Sequence, residues 1–307
     1  MNLFTRRLAV ASLLLLGTLN ARAEAEVVGR LNLSLERRGG GQSVVADNAS
    51  RIGFIDTEHI TPDLFAGVHL EKGFDGSSGA QVGNGFDRMA ELSIGNPAFW
   101  LSLGRFGSTA YLGITDVVSL HNHDTGISAD ALFAHVEPLG RKLGVTGKVD
   151  AWTLQLVKWM ADPVSGASGG NAALLAYDRP GLSLAVSSGQ DARRFEHSVR
   201  MLASHAGVDV AFYVEQDNNV LGRGKRLAKR AALAWHVGPS EWHWNEGRAG
   251  AYRGGAPGES GARQSTLAYN YNLSARTKVY ALATRLRDQG RLYGNWSSTA
   301  IGLRQNF

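Results

Sequence analysis

Polar and apolar residues alternate along most of this chain. In residues 30–36 leucine occupies one parity, at 31, 33 and 35, while Arg30, Asn32, Ser34 and Glu36 occupy the other. A period of two is the mark of a strand with one apolar face. The rhythm recurs at 51–58, 64–74, 88–94, 99–106, 131–136, 152–160 and 172–177. It continues at 182–188, 197–206, 208–216, 226–237, 242–252, 265–273, 278–287 and 297–307, for sixteen segments in all. Tight connections (Thr61-Pro62-Asp63, Asn96-Pro97, Arg179-Pro180-Gly181, Gly238-Pro239-Ser240) alternate with longer ones rich in Gly, Asp or Asn. The last segment ends on an aromatic, with Ile301, Leu303 and Phe307 sharing one parity and Gly302, Arg304 and Asn306 the other. One such strand would suit a soluble sandwich equally well. Sixteen of them, with short turns on one rim and longer loops on the other, predict an all-β fold: a 16-stranded antiparallel transmembrane β-barrel.

The start of the chain reads differently. Residues 1–23 carry Arg6 and Arg7, an apolar stretch over 8–19, and the small-x-small run Ala21-Arg22-Ala23. That is the layout of a secretory signal peptide, with cleavage expected after Ala23 and a barrel domain over 24–307. The apolar stretch falls short of the roughly 20 residues a membrane-spanning helix needs. Later apolar runs are all interrupted by charges such as Lys158, Asp178 and Arg179. With no cysteine, a disulfide framework and a thiolate metal site are excluded. The formal charge is +5, from 32 basic and 27 acidic residues; without Arg6, Arg7 and Arg22 it is 29 against 27, or +2. That balance gives no basis for a nucleic-acid partner. The 38 glycines suit many turns and closely approaching strands.

A water-filled barrel needs polar inward and apolar outward positions. Applied strand by strand, this places Arg30, Arg51, Arg88 and Arg105 in the lumen, with Glu71 on the inward parity and able to pair with one of them. Some of these arginines could instead be structural, satisfying backbone groups or Glu71. The same rule puts Arg285, Arg287 and Arg304 inside, with Lys229 or Arg230, and predicts a lumen that is basic overall with a mild anion preference. Glu91 falls on the outward parity. Aromatics near segment ends, at Trp100, Tyr111, Trp235, Trp242, Trp244, Tyr269, Tyr271 and Trp296, fit either interfacial girdles or an ordinary core. His121 and His123 alone are too few for a metal site, so no metal or cofactor is expected. No Gly-x-Ser-x-Gly elbow and no phosphate-binding glycine loop occurs.

Several stretches resemble the Gram-negative general porin family, particularly its β-proteobacterial branch. Ser50-Arg51-Ile52-Gly53-Phe54 with Glu58, then Leu64-Phe65-Ala66-Gly67-Val68-His69-Leu70-Glu71, are similar to that family's second and third strands. Phe86-Asp87-Arg88-Met89-Ala90 and Leu103-Gly104-Arg105-Phe106-Gly107 resemble the next two, and residues 271–281 the penultimate hairpin; the Gly302-Leu303-Arg304 to Phe307 ending matches as well. The likeness covers roughly 26–110 and 265–307, and through the middle only the rhythm supports it. It implies a third loop folded into the barrel, faced by Arg30, Arg51, Arg88 and Arg105 across a constriction. It also implies a passive pore for ions and small hydrophilic solutes in the outer membrane rather than an enzyme. A homotrimer would follow, held by the early strands, where Glu91 would be easier to accept than in lipid. Further implied partners are outer-membrane lipid and lipopolysaccharide, and the assembly machinery, which would read Phe307. The family's loop often holds a Pro-Glu-Phe-like acidic motif. Here 107–130 lacks it and offers Asp116, Asp124 and Asp130. The sequence after Val136 lacks the usual sixth-strand signature, leaving strands six and seven with the softest boundaries. Two other readings remain. A barrel enzyme of lipase or protease type would need a convergent Ser/His/acid site near one rim. A secreted soluble β-sandwich binding protein would leave the aromatic terminus and the outward apolar faces without purpose.

Overall fold

The computed structural model describes residues 25–121, 123, 132–163, 166–254, 261–288 and 294–307. The expected signal peptide lies outside them, as do Asp124 and Asp130. The chain runs through β1 (Glu26–Arg38), β2 (Ser43–Asp47), β3 (Arg51–Thr61), β4 (Leu64–Gly73), β5 (Met89–Asn96) and β6 (Phe99–Arg105). A π-helical turn (Tyr111–Thr115) and the α-helical turn α1 (Asp116–Ser119) follow. Then come β7 (Lys142–Val149), β8 (Trp152–Trp159), β9 (Gly170–Arg179), β10 (Leu182–Asp191), β11 (Phe195–His205) and β12 (Val208–Asn218). The rest are β13 (Lys225–Val237), β14 (Ser240–Ala249), β15 (Ala262–Asn272), β16 (Thr277–Asp288) and β17 (Trp296–Asn306). Each strand pairs antiparallel with its neighbours, and β1 pairs with β17, so the sheet closes. In an apolar medium only such closure leaves no backbone edge unpaired.

β2 and β3 are two halves of one stave, which makes sixteen staves in all. Both pair with β1, β2 through Leu33–Arg37 and β3 through Glu26–Arg30. Between the halves the register slips by one residue: Leu33 faces Asp47, whereas Arg30 faces Arg51. The slip is a bulge at Asn48–Ser50, with Ala49 at φ 57°. A bulge reverses which parity faces the lumen, so the alternation breaks there and the upper half is hard to see in sequence. The bulge is held by Asn32, whose backbone nitrogen donates to Ser50 Oγ at 3.0 Å, and by Tyr280, whose hydroxyl accepts from Asn48 Nδ2 at 3.0 Å.

The expected strand over 131–136 is not a strand. Residues 132–138 run irregularly through the lumen, and the sixth stave is β7, Lys142–Val149. Leu132, Ala134 and Val136 alternate because one side of this segment packs on the inner wall.

Closure is completed by the chain ends. Gly29 N donates to Phe307 O at 2.9 Å, and Phe307 N to Gly29 O at 3.1 Å. A Cβ on Gly29 would strike the Phe307 ring. Ile301, Leu303 and Phe307 face outward in the row shared with Leu31, Leu33 and Leu35. Gln305 lies in the same row, and its amide oxygen accepts from Thr277 Oγ1. Near the short-turn rim the outward face carries aromatic pairs with tilted rings: Trp152 against Tyr177 with ring centres 4.8 Å apart, and Trp242 against Tyr269 at 4.5 Å. Trp100 and Trp296 engage Lys148 and Arg38 instead, Trp296 also packing on the buried Leu132 and Leu286.

Three parity assignments are corrected. On β16 the inward residues are Tyr280, Leu282, Thr284, Leu286 and Asp288, all buried, so Arg285 and Arg287 point outward. Lys229 is likewise outward and Arg230 inward. Glu91 shares a face with Ser93, Ser102 and Gly104, while Leu92 and Ile94 are exposed; Glu91 is therefore inward. The polar-inside rule failed on β16 because that wall packs against the inserted loop rather than water.

Tyr280 lies over Gly302, where a Cβ would fall inside its ring. Gly302→Val should therefore destabilise closure by about 1–3 kcal/mol, seen as a lower temperature for loss of the compact, fast-migrating band on unboiled gels. Unchanged thermal behaviour would mean that Tyr280 is free to move aside.

Candidate pore and its inserted loop

Short connections lie on one rim, which the start of β1 and the end of β17 share. The opposite rim carries the longer loops, and the described residues of the third, 106–121, 123 and 132–141, fold into the barrel. Its insertion is possible because the inward positions it meets are small. Ala176, Ala185, Ala211 and Ala232, with Leu174 and Tyr213, receive Ile114 and Val118. Ala172, Val157 and Trp159 receive Phe106, Ala134 and Val136, while Ala228, Ala249, Ala262 and Leu286 receive Leu132.

A loop buried this way carries backbone groups that cannot reach solvent, and burying each unpaired would cost about 1–3 kcal/mol. Side chains of the wall, and Glu137 of the loop itself, satisfy them. Glu215 Oε1 accepts from Ala134 N at 3.1 Å, Glu196 Oε2 from Val136 N at 2.7 Å, and Glu137 Oε2 from Thr109 N at 2.8 Å. Arg226 Nη2 donates to Leu132 O at 2.8 Å, Asn245 Nδ2 to Ser119 O at 3.2 Å, and Arg200 Nε to Gly113 O. Two of these charges are compensated locally, Lys142 Nζ lying 2.6 Å from Glu137 Oε1 and Arg226 Nε 3.1 Å from Asp217 Oδ2, whereas Glu196 and Glu215 each keep one buried oxygen without a partner among the described residues. No sequence pattern flagged Glu137, Glu196, Glu215 or Arg226. The available signal was the run of inward alanines on β9–β15, which leaves room for a filling segment.

The far end of the loop is held by imidazoles. His123 stacks on Tyr280 with ring centres 3.8 Å apart and contacts Asn270 Oδ1 through Nε2 at 2.7 Å; its backbone N donates to His121 Nδ1. Both histidines are almost wholly buried. Burial lowers the pKa of His123 to about 3, opposed by the Asn270 hydrogen bond and aided by the charges of Lys278 and Arg304. Burial also holds His121 well below its ordinary range, helped by its neighbours His123 and His243. Among the described residues no three of His, Asp and Glu are arranged to hold a metal.

The predicted arginines divide into two groups. Arg30 is buried, its Nε donating to Ala49 O at 3.1 Å and its Nη2 to Asn48 O at 3.5 Å, so it caps carbonyls of the bulge. Arg51 and Arg88 meet on one carboxylate: Glu71 Oε2 is 3.0 Å from Arg51 Nε, and Glu71 Oε1 is 2.5 Å from Arg88 Nε. Arg105 Nε reaches Asp87 O at 2.5 Å. Asp116 opens α1 and is half-buried. On β3–β5 the inward residues Ile55, Thr57, His69, Glu71, Glu91 and Ser93 are all half-buried, whereas the inward rows of β9–β16 are covered by the loop. Arg304, inward on β17, donates to Asn306 Oδ1.

No protein-family model matches this chain, and no curated protein does. Solved structures do. The anion-selective porin from Comamonas acidovorans matches with a TM-score of 0.75 at 16% identity, over 93% of this chain and 100% of that one. The trimer form of OmpT, an outer membrane protein of Vibrio cholerae, gives 0.76 at 11%, over 93% and 99%. OmpF of Salmonella typhi gives 0.73 at 13%, over 92% and 97%.

Protonation of the two buried histidines should loosen the loop. Above pH 6.5 both are neutral whether the loop is seated or released. Below it only the released loop takes up protons, so stability is lost as pH falls from 6.5 towards about 3. At pH 5 the loss from His123 is about 2 kcal/mol, and His121 adds to it in the same direction. Amide exchange in the loop, corrected for intrinsic rate, should therefore quicken between pH 7 and 5 in the native barrel and change less in a His121→Gln/His123→Gln variant. Equal pH responses would contradict this. Over more than nine-tenths of its length, the chain has the fold of these solved porins.

Proposed function

We propose that the chain forms a water-filled channel in the outer membrane of a Gram-negative bacterium, through which ions and small hydrophilic solutes diffuse passively. The observation that carries this reading is the asymmetry of the lumen. The loop fills the side lined by β9–β16, while the β3–β6 side keeps Arg51, Glu71, Arg88 and Arg105 partly accessible. Arg51 and Arg88 on Glu71, with Arg105 nearby, face the inward Glu91 as well, so three guanidiniums meet two carboxylates and the wall along the remaining aperture is mixed with a slight positive excess. This supports a mild anion preference, the property named for the Comamonas porin. Asp116, Asp124 and Asp130 are the proposed acidic contributors from the loop side. No reaction is assigned; the buried loop histidines are engaged by Asn270, Tyr280 and each other.

The reading includes export through cleavage of residues 1–23 and assembly as a homotrimer. Glu91, being inward, no longer bears on the trimer. Asp56 takes its place: it lies on the outward face of β3 beside Glu58, and its Oδ1 is buried without a partner among the described residues. Such a carboxylate is costly in lipid and acceptable against a second protein.

Planar-bilayer recording tests the channel: stepwise openings in threes are expected, and a purified protein that never conducts would end the reading. In a salt gradient, Arg51→Gln/Arg88→Gln/Arg105→Gln should move the zero-current potential towards cation preference, and Glu71→Gln the opposite way. Potentials identical to the native protein would remove this wall from the aperture.

Phe307 is proposed as the feature read by the assembly machinery, because its ring is exposed while its backbone closes the sheet. Deleting it should reduce the amount of barrel in the outer membrane far more than the conductance of each assembled pore. Normal amounts of truncated protein there would sink the idea.

A further inference from the structure

Two aromatic side chains break the polar-inside rule on the open side of the lumen. Phe65, Gly95 and Trp100 stand in register across β4, β5 and β6, and His59 and Thr146 continue the row on either side. Phe65 shares the inward parity of β4 with His69 and Glu71, and Trp100 that of β6 with the buried Ser102. Leu101 and Leu103, on the other parity of β6, are exposed outward. Trp100 therefore faces the lumen and is no part of a lipid-facing girdle. Both rings are half-buried, and neither belongs to the apolar clusters that seat the loop. A wet wall should be polar. On β9–β16 the apolar exceptions are explained by the loop against them; among the described residues no loop segment explains these two.

Gly95 keeps the two rings apart. Neighbouring strands lie about 4.8 Å apart, so the positions that carry them are separated by roughly 10 Å. Gly95 between them has no side chain, and a Cβ there would strike the Trp100 backbone. A flat ring with an atom layer in contact on each face needs about 7 Å. The row is a slot with Gly95 as its floor. Its edges are polar. One step towards the long-loop rim the inward positions are Thr57, Gly67 and Ser93, with Ser93 Oγ lying over Gly67. One step towards the short-turn rim is Lys148, whose Nζ lies 5.2 Å from the centre of the Trp100 ring. Lys148 and His59 are exposed, and neither the row nor the inward positions directly above it on β3–β7 carry a carboxylate.

We propose that this slot binds monocyclic aromatic carboxylates, which makes Phe65 and Trp100 the residues that set solute preference within the pore. Two aromatic side chains favour a planar ring, by edge or by offset stacking. The ammonium beside Trp100 favours an anion, and the Thr57 and Ser93 hydroxyls accept or donate along the upper edge. An organic cation would also stack on the rings, but it meets Lys148 there. A neutral sugar carries no charge for that ammonium. The proposal rests on the pore reading: the slot lies below the cluster of Arg51, Glu71 and Arg88, on the path of a solute moving towards the short-turn rim.

The test is planar-bilayer recording of the full-length barrel, with chloride current followed against rising benzoate, cyclohexanecarboxylate, benzyl alcohol or glucose. Benzoate should halve the current at a concentration about fivefold below that for cyclohexanecarboxylate, a difference the size of one aromatic contact. The two acids match in charge and nearly in size, and only benzoate is flat. Benzyl alcohol and glucose should leave the current unaltered. Phe65→Leu/Trp100→Leu should erase the difference between the acids. Should that variant fail to fold, Lys148→Gln, on an exposed side chain, should raise the half-blocking benzoate concentration severalfold. Equal block by the two acids in the native protein, or an unaltered difference in the double variant, would overturn the proposal. So would a Lys148 variant blocked like the native protein, or block by glucose at benzoate's concentration, which would make the slot a sugar subsite. Current in plain salt separates the two readings. A barrel that conducts and ignores benzoate refutes the slot and spares the pore, whereas one that never conducts ends the pore reading and the slot with it.

Discussion

Every buried backbone donor and acceptor in this molecule must find a partner, and that requirement organises the structure twice. In the wall it is met by closure, down to the last pair, in which Gly29 and Phe307 exchange both hydrogen bonds. An open edge in hydrocarbon would leave a row of groups costing several kcal/mol each. Inside the barrel the same requirement returns, because the inserted loop has neither a helix long enough nor a strand partner to satisfy itself. There the solution is side chains: carboxylates for the loop's amides, guanidiniums and an amide for its carbonyls. A chain without cysteine thus draws its cohesion from hydrogen bonds between strands and between wall and loop.

The second requirement explains the composition of the lumen. Wherever the loop lies, the wall is largely alanine, with Leu174, Tyr213, Val157, Trp159 and Leu286 among them and an occasional charged residue. The small residues provide volume and the charged ones meet specific loop atoms. Glu137 with Lys142 and Asp217 with Arg226 are compensated in place, as charges in a region of low permittivity must be. On the β3–β5 side the wall has no loop against it, and ionic side chains there are half-exposed, as a wet surface allows. One barrel therefore has two interiors, a packed one and an open one.

This division marks what could be read from the chain. Strand number, rim asymmetry and the outward leucine rows were legible because lipid imposes one rule on every outward position. The pairing of Arg51 and Arg88 with Glu71 was also within reach, since those residues lie on the open side. What failed did so where a local neighbour replaced bulk solvent. The segment at 132–136 alternates like a strand because one side meets the wall. Arg285 and Arg287 looked inward because Leu282 and Leu286, facing the packed interior, occupied the parity assumed to be lipid's. The upper half of the second stave was hidden by a one-residue bulge, which inverts parity without changing composition. Glu196 and Glu215 could not be recognised, because their partners are backbone amides some 60 and 81 positions away.

β16 shows why the face of a strand cannot be assigned from polarity alone. Its inward row is Tyr280, Leu282, Thr284 and Leu286, and its outward row passes from Val279, Ala281 and Ala283 to Arg285 and Arg287. Within one strand the outward medium changes with height, from an apolar band to a charged rim, while the inward medium is protein throughout. Apolar outside therefore holds over the lower half and inverts over the upper, while polar inside fails in both halves, at Leu282 and at Leu286. The inversion carries information of its own. Residues that contradict the rule on a packed wall must be explained by what lies against them.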